Sequence, residues 1–127
     1  FNLVHVRNFG AAFGVFNDPA GTWQFWFFLA STLLAVVIIY FVAKGARDKD
    51  KALFCGLGLI LGGAVGNLID RIRFRSVVDF LDFHWAGFHW PAFNVADIAI
   101  CVGVGIAMLM IVISPLPQSN DGAANGR

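Results

Sequence analysis

Glutamate is absent from this 127-residue chain; all eight acidic residues are Asp. Charge of either sign is scarce, at 13% of residues, where a soluble domain carries about 25%. Cysteine occurs twice, proline four times and tyrosine once. With 58% hydrophobic residues, so little charge excludes a disordered chain and most soluble enzymes. Nine basic residues against eight acidic ones leave no basic face for nucleic acid. Cys55 and Cys101 both lie in apolar runs and read as small hydrophobes, not as a disulfide framework or a metal site.

What the chain has instead is apolar length. No charge occurs between Asp18 and Lys44, between Lys51 and Asp70, or between Asp97 and Asp121. A bilayer core of about 30 Å needs roughly 20 apolar residues as helix, and a spanning backbone must satisfy its own hydrogen bonds. The pattern therefore predicts a mainly α-helical membrane protein with three transmembrane helices, near 22–43, 52–70 and 95–114. None reads as a cleavable signal peptide, because no basic segment precedes a short apolar core.

The first predicted helix opens on Trp23, Phe25, Trp26, Phe27 and Phe28 and closes near Tyr40 and Phe41, an aromatic belt at each interface. Its aliphatic middle is expected to face lipid. In the second, Gly58, Gly62 and Gly66 recur every four residues, a small-residue stripe that lets helix backbones approach in lipid. Ala99, Gly103 and Ala107 form another such stripe in the third. Asn94 is a candidate N-cap for that helix, placing Asp97 in its first turn. The dense basic loop 44–51 favours the cytoplasm.

Two segments alternate with period two and read as strands, Phe1–Asn8 and 72–80, expected to pair into a small sheet at the membrane surface. In the second, Arg73, Arg75, Val77 and Asp79 would share one side. Asp18 reads as a turn residue or N-cap. The aromatic stretch 80–93 is too short to span and is expected to lie in the interface as a helix or loop. The tail 115–127 is polar, rich in Pro and Gly, and expected to be disordered.

Three aspartates, Asp70, Asp79 and Asp97, fall at or near helix ends on one predicted side. An ionisable group near membrane depth is a functional hypothesis by default. Each also has a plain structural role open to it: Asp70 pairing with an arginine, Asp79 as a polar strand residue, Asp97 favoured by a helix dipole. Taken together, two close carboxylates cannot both ionise easily and share a proton. Such a pair can activate water as general base and protonate a leaving amine as general acid. Asp97, in a first turn, is the better candidate for the ionised partner and Asp79 for the protonated one.

Other chemistries lack support. His84 and His89 lie near Asp82 but among aromatics, and read as interfacial residues. GxSxG, Walker A, HExxH and CxxC motifs are all missing. Two function classes thus remain open on the residues alone. One is a peptidase with an Asp79–Asp97 dyad. The other is a small membrane transport or assembly subunit, with an intramembrane ion pair at Asp70–Arg71 and glycine stripes as a docking face. An Asn-x-x-Asp pair at the membrane surface suits a positioned dyad and is not needed by a transporter.

Four segments occur in order: RNFGAAF from Arg7, GGAVGNLIDR from Gly62, VVDF from Val77 and FNVAD from Phe93. Together they resemble the lipoprotein signal peptidases (signal peptidase II), bacterial aspartic membrane proteases, and the likeness runs from Phe1 to about Ser114. The resemblance implies a multi-pass plasma-membrane endopeptidase, with residues 1–114 as one membrane-embedded domain and no cofactor. Its substrates would be prolipoproteins already carrying a diacylglyceryl-modified cysteine, cleaved just before that cysteine near the extracytoplasmic face. By the same resemblance Asp79 and Asp97 are catalytic, and Asn8, Asn67, Asp70, Arg71 and Asn94 hold the dyad and substrate. An extracytoplasmic β-cradle, a peripheral helix and inhibition by globomycin-type compounds are implied as well. The family has four transmembrane helices, the first with an Asp-Gln motif; this chain starts at Phe1, where that helix would already have ended.

Overall fold

Three helices follow the three uncharged stretches: α1 (Trp23–Gly45), α2 (Lys51–Phe74) and α3 (Val95–Ile113). Each is long and apolar enough to cross a membrane, with mean hydropathy of 2.5, 2.0 and 2.6 over its span window. The structure is a computed structural model that describes residues 1–10, 16–18, 20–48 and 50–114. The tail 115–127 lies outside the described residues. Asp18 is a turn residue, its Oδ1 accepting from the amide of Ala20 at 2.9 Å. Thr22, not Asp18, occupies the N-cap of α1.

The second helix runs further than expected. It continues through Arg71 and Arg73 to Phe74, and the chain turns at Arg75, whose φ of 60° is left-handed. The strand expected over 72–80 accordingly begins only at Val77, as β2 (Val77–Asp82). Arg73 and Arg75 are therefore not strand neighbours of Asp79. Cations in a last helical turn face the negative end of the helix dipole, so these arginines favour the helix that their period-two spacing appeared to end.

The face by which α2 packs also differs from the Gly58–Gly62–Gly66 stripe. A Cβ at Gly58 or Gly62 would meet nothing within 4 Å, and at Gly66 only the Ala96 methyl at 3.7 Å. The close approach is made by Gly56 and Gly63, seven residues apart. A Cβ at Gly56 would lie 2.9 Å from the carbonyl oxygen of Gly103, and one at Gly63 would run into the carbonyl of Ala96. Two turns of helix separate these positions, which keeps them on one face. On α3, Gly103 and Ala107 are buried against them as the second stripe anticipates.

All three helices meet where Leu53, Leu57 and Ala107 form the core, covered by Ile39, Val42 and Ala43 of α1, Ile60 of α2 and Met110 of α3. Only Gln24 of α1 is fully buried; its aliphatic middle is exposed as expected for a lipid-facing helix. Toward the opposite end, α1 and α3 stand on either side of a cavity walled by α2.

That end is closed by a two-stranded antiparallel sheet of β1 (Asn2–Asn8) and β2. Register runs from Asn2 opposite Asp82 to Asn8 opposite Val77, with an irregularity between Leu3 and Val6. The segment 80–93 is neither a helix nor a plain loop. It leaves β2 into a short hairpin, β3 (His84–Trp85) and β4 (Phe88–His89). It then returns so that Phe93 bonds the edge of β2 through Leu81. His89 Nδ1 lies 3.1 Å from Asp82 Oδ1, tying the exposed hairpin to the sheet.

Candidate active site

Asp79 and Asp97 reach the site by different routes. Asp79 is an inward residue of β2, only 3% exposed. Asp97 is fixed by the start of α3, where Asn94 adopts the extended conformation of an N-cap and forms a full capping box. The side chain of Asn94 accepts from the amide of Asp97 at 3.1 Å, and the amide of Asn94 donates to Asp97 Oδ2 at 3.1 Å. Phe93-Asn94-Val95-Ala96-Asp97 therefore encodes both a helix start and the placement of a carboxylate.

Three asparagines join the two aspartates. Asn8 of β1 donates to Asp79 Oδ2 at 3.0 Å, and Asn94 Nδ2 donates to Asp79 Oδ1 at 2.9 Å. Asn67 of α2 donates to Asp97 Oδ1 at 2.9 Å. The same Asn94 nitrogen also donates to Asn67 Oδ1 at 3.2 Å, closing the network. All four carboxylate oxygens thus accept a hydrogen bond from an asparagine, and these bonds draw β1, β2, α2 and α3 to one point. Burial pushes the Asp79 carboxyl above the usual carboxylate range. Hydrogen bonds from Asn8 and Asn94 pull it down, the Asp97 charge adds to the rise and the Arg71 charge opposes it.

Arg71 lies beneath this network, 8% exposed. Its guanidinium donates to the Gly10 carbonyl at 2.9 Å and, more weakly, to the Asn67 carbonyl at 3.4 Å. Its Cζ sits 3.9 Å over the ring of Phe28 on α1, and its Nε is buried with no hydrogen-bond partner among the described residues. Asp70, placed beside these residues by the sequence, points elsewhere. It lines a smaller groove with Gly66, Val78 and Phe80, on the side where Asn67 and Asn94 show their other faces. Among the described residues it forms no ion pair with Arg71.

The aspartates line a cavity of about 730 Å³. Its polar end is Asn8, Asn67, Arg71, Asp79 and Asp97. Its other walls are mostly apolar, from Phe28 and Ala35 on α1, Ile60, Ala64 and Leu68 on α2, and Ile98 and Ile100 on α3, with Ser31 and Thr32 of α1 the hydroxyls among them. Trp90–Phe93, on the return from the hairpin, form the remaining wall. A chain with an apolar segment in the cleft would bring a neighbouring polar bond up to the carboxylates. Phe28, Gly10 and Trp90 were not singled out from the sequence as site residues. The spacing of Phe28 from Phe25 along one helix face was the available signal for the first. A backbone carbonyl such as that of Gly10 leaves none.

The chain matches the signal peptidase (SPase) II family over residues 1–113. It is 52% identical over 121 residues to the lipoprotein signal peptidase of Nitratidesulfovibrio vulgaris (strain DP4), covering 95% of this chain and 73% of that protein. Against the lipoprotein signal peptidase of Oleidesulfovibrio alaskensis it is 57% identical over 111 residues, covering 87% and 70%. A bacterial membrane enzyme structure solved by the in meso method at 2.3 Å superposes with a TM-score of 0.74 at 28% identity, covering 98% of this chain and 71% of that one. With three membrane-length helices, a surface sheet and a match spanning nearly its whole length, the chain belongs to the signal peptidase II family of membrane peptidases.

Proposed function

We propose that this chain is an aspartic endopeptidase of the bacterial plasma membrane, with its site near the extracytoplasmic face. It would remove the signal peptide from diacylglyceryl-modified prolipoproteins by cutting before the modified cysteine. The curated relatives carry the name lipoprotein signal peptidase. The observation that carries the mechanism is the asparagine network, which gives each oxygen of Asp79 and Asp97 a donor in the lining of a largely apolar cavity.

Asp97, in the first turn of α3, holds the negative charge that the helix dipole favours. Asp79, whose burial favours the neutral acid, holds the proton. Asp97 takes a proton from water as the water oxygen bonds to the scissile carbonyl carbon, while Asp79 gives its proton to the carbonyl oxygen. Collapse of the tetrahedral species breaks the C–N bond: Asp97 gives the proton it took from water to the leaving nitrogen, and Asp79 takes back the hydroxyl proton as the carbonyl re-forms, which restores both carboxyls. Arg71 and the three asparagines keep the carboxylates in place. Asp70 supports from the neighbouring groove, and globomycin-type inhibitors would compete for the same cavity.

The test is cleavage of a lipid-modified precursor by Asp79→Asn and Asp97→Asn. Both variants should insert and fold, and each should lose about 10²–10⁴-fold in rate, the usual worth of acid–base catalysis. Near-normal cleavage by either variant removes the dyad. The transport or assembly alternative rested on an Asp70–Arg71 ion pair, which is not formed among the described residues.

A further inference from the structure

Two arginines beyond the site are exposed and have, among the described residues, no partner of opposite charge. Arg73 lies in the last turn of α2 and Arg75 at its C-cap. The Cζ of Arg73 is 5.2 Å from the centroid of the Phe74 ring, and that of Arg75 is 4.6 Å from the centroid of Phe25 near the start of α1. Beyond these ring contacts, neither guanidinium forms a hydrogen bond or ion pair among the described residues. Among the described residues every N–H of both forks is therefore unspent. A helix dipole accounts for positive charge at this end of α2, but a lysine would serve the dipole as well and would not present a planar fork over an aromatic face.

The surroundings indicate what such a pair meets. Trp23, Trp26 and Phe74 are all exposed at the same ends of α1 and α2, which makes this the depth of lipid headgroups. Guanidinium groups match phosphate oxygens in paired hydrogen bonds, and stacking on a ring leaves the N–H edge outward. We propose that Arg73 and Arg75 bind the phosphodiester of an anionic phospholipid, holding the aspartate end of the fold at headgroup depth. The proposal rests on the membrane spans and not on the peptidase reading.

The full chain is placed in nanodiscs of phosphatidylcholine with a minor share of phosphatidylglycerol, and the lipid retained after mild delipidation is counted by native mass spectrometry. Retained phosphatidylglycerol should exceed its bulk share by about fivefold, the order that one basic residue near a membrane surface supplies. R73Q/R75Q should bring the ratio back to the bulk value, and Arg47→Gln, in the loop at the other ends of these helices, should leave it unchanged. If the double variant does not fold, Phe25→Leu removes the ring beneath Arg75 and should lower the enrichment by itself. Unchanged enrichment in R73Q/R75Q overturns the proposal. So does its loss to inorganic phosphate but not to chloride of equal ionic strength, which would make the site one for free anions. Because the readout is retained lipid, a failed dyad test leaves this outcome unaffected.

Discussion

The side-chain amide of Asn94 donates to Oδ1 of Asp79 at 2.9 Å across fifteen residues of chain, from the N-cap of one element to the middle of a strand. One residue thus ends the hairpin segment, starts α3 and holds the buried carboxylate. The consequences of this shared anchoring can be measured.

Asn8→Ala should move the alkaline limit of cleavage upward. The hydrogen bond from Asn8 lowers the Asp79 pKa, against burial, which raises it. Without that bond Asp79 keeps its proton to higher pH, so an activity that needs protonated Asp79 persists further into the basic range. The pH profile of kcat/KM checks this, and a limit that moves down or stays put contradicts it. Folding is linked with the same sign. Between the ordinary carboxylate pKa and the raised value the folded state binds more protons, so stability falls as pH rises through that window.

Gly63→Ala should destabilise the protein and reduce cleavage, while Gly58→Ala should do neither. The added methyl at Gly63 meets the Ala96 carbonyl and Ile100 Cγ1, the latter at 2.7 Å, whereas at Gly58 it meets open space. Overpacking of this kind costs about 1–3 kcal/mol, and Ala96 directly precedes Asp97. Thermal unfolding in detergent and cleavage rate should fall together for Gly63→Ala only.

Acid should release the hairpin before it unfolds the helices. The hydrogen bond from His89 holds the Asp82 carboxyl below the usual range, with a smaller contribution from Asn2. A depressed carboxylate contributes stability above its unfolded pKa and loses it as pH falls through the folded value. Fluorescence of Trp85 and Trp90 should therefore change at pH below about 4, ahead of the loss of helical circular dichroism. Asp82→Asn should abolish that early step.

Phe28→Leu should weaken cleavage although the cavity wall stays apolar. The ring under the Arg71 guanidinium supplies about 0.5–2 kcal/mol of cation–π attraction, so kcat/KM should fall by roughly two- to thirtyfold if that attraction places Arg71. Phe28→Tyr keeps a ring and should recover most of the rate. Equal losses in both variants would assign the effect to cavity shape instead.

The spans were legible because charge is so costly in lipid that its absence marks them. The uncharged stretches give α1, α2 and α3 to within a few residues, except at the end of α2. There the arginines suited two periods at once, and nothing local reveals that a non-glycine residue, Arg75, turns left-handed. The packing glycines were misread for a related reason. Spacing of four is the commoner sign of close helices, but which of several glycines faces a neighbour depends on how the partner helix lies. The motifs around Asn8, Asn67, Asp79, Asn94 and Asp97 pointed to residues that converge in space. The divergence of Asp70 was hidden, since adjacent residues on a helix point about 100° apart and only the neighbouring elements decide which one faces the cavity.

If Asp97 acts as proposed, the capping box at the start of α3 makes catalytic competence and the order of a single helical turn one variable. Helix ends open locally at a small fraction of the free energy of global unfolding. Fraying of Val95–Asp97 would detach one carboxylate from Asn67 and Asn94 with every membrane span intact. On warming, the enzyme should therefore fall silent while still folded, and recover at once on cooling.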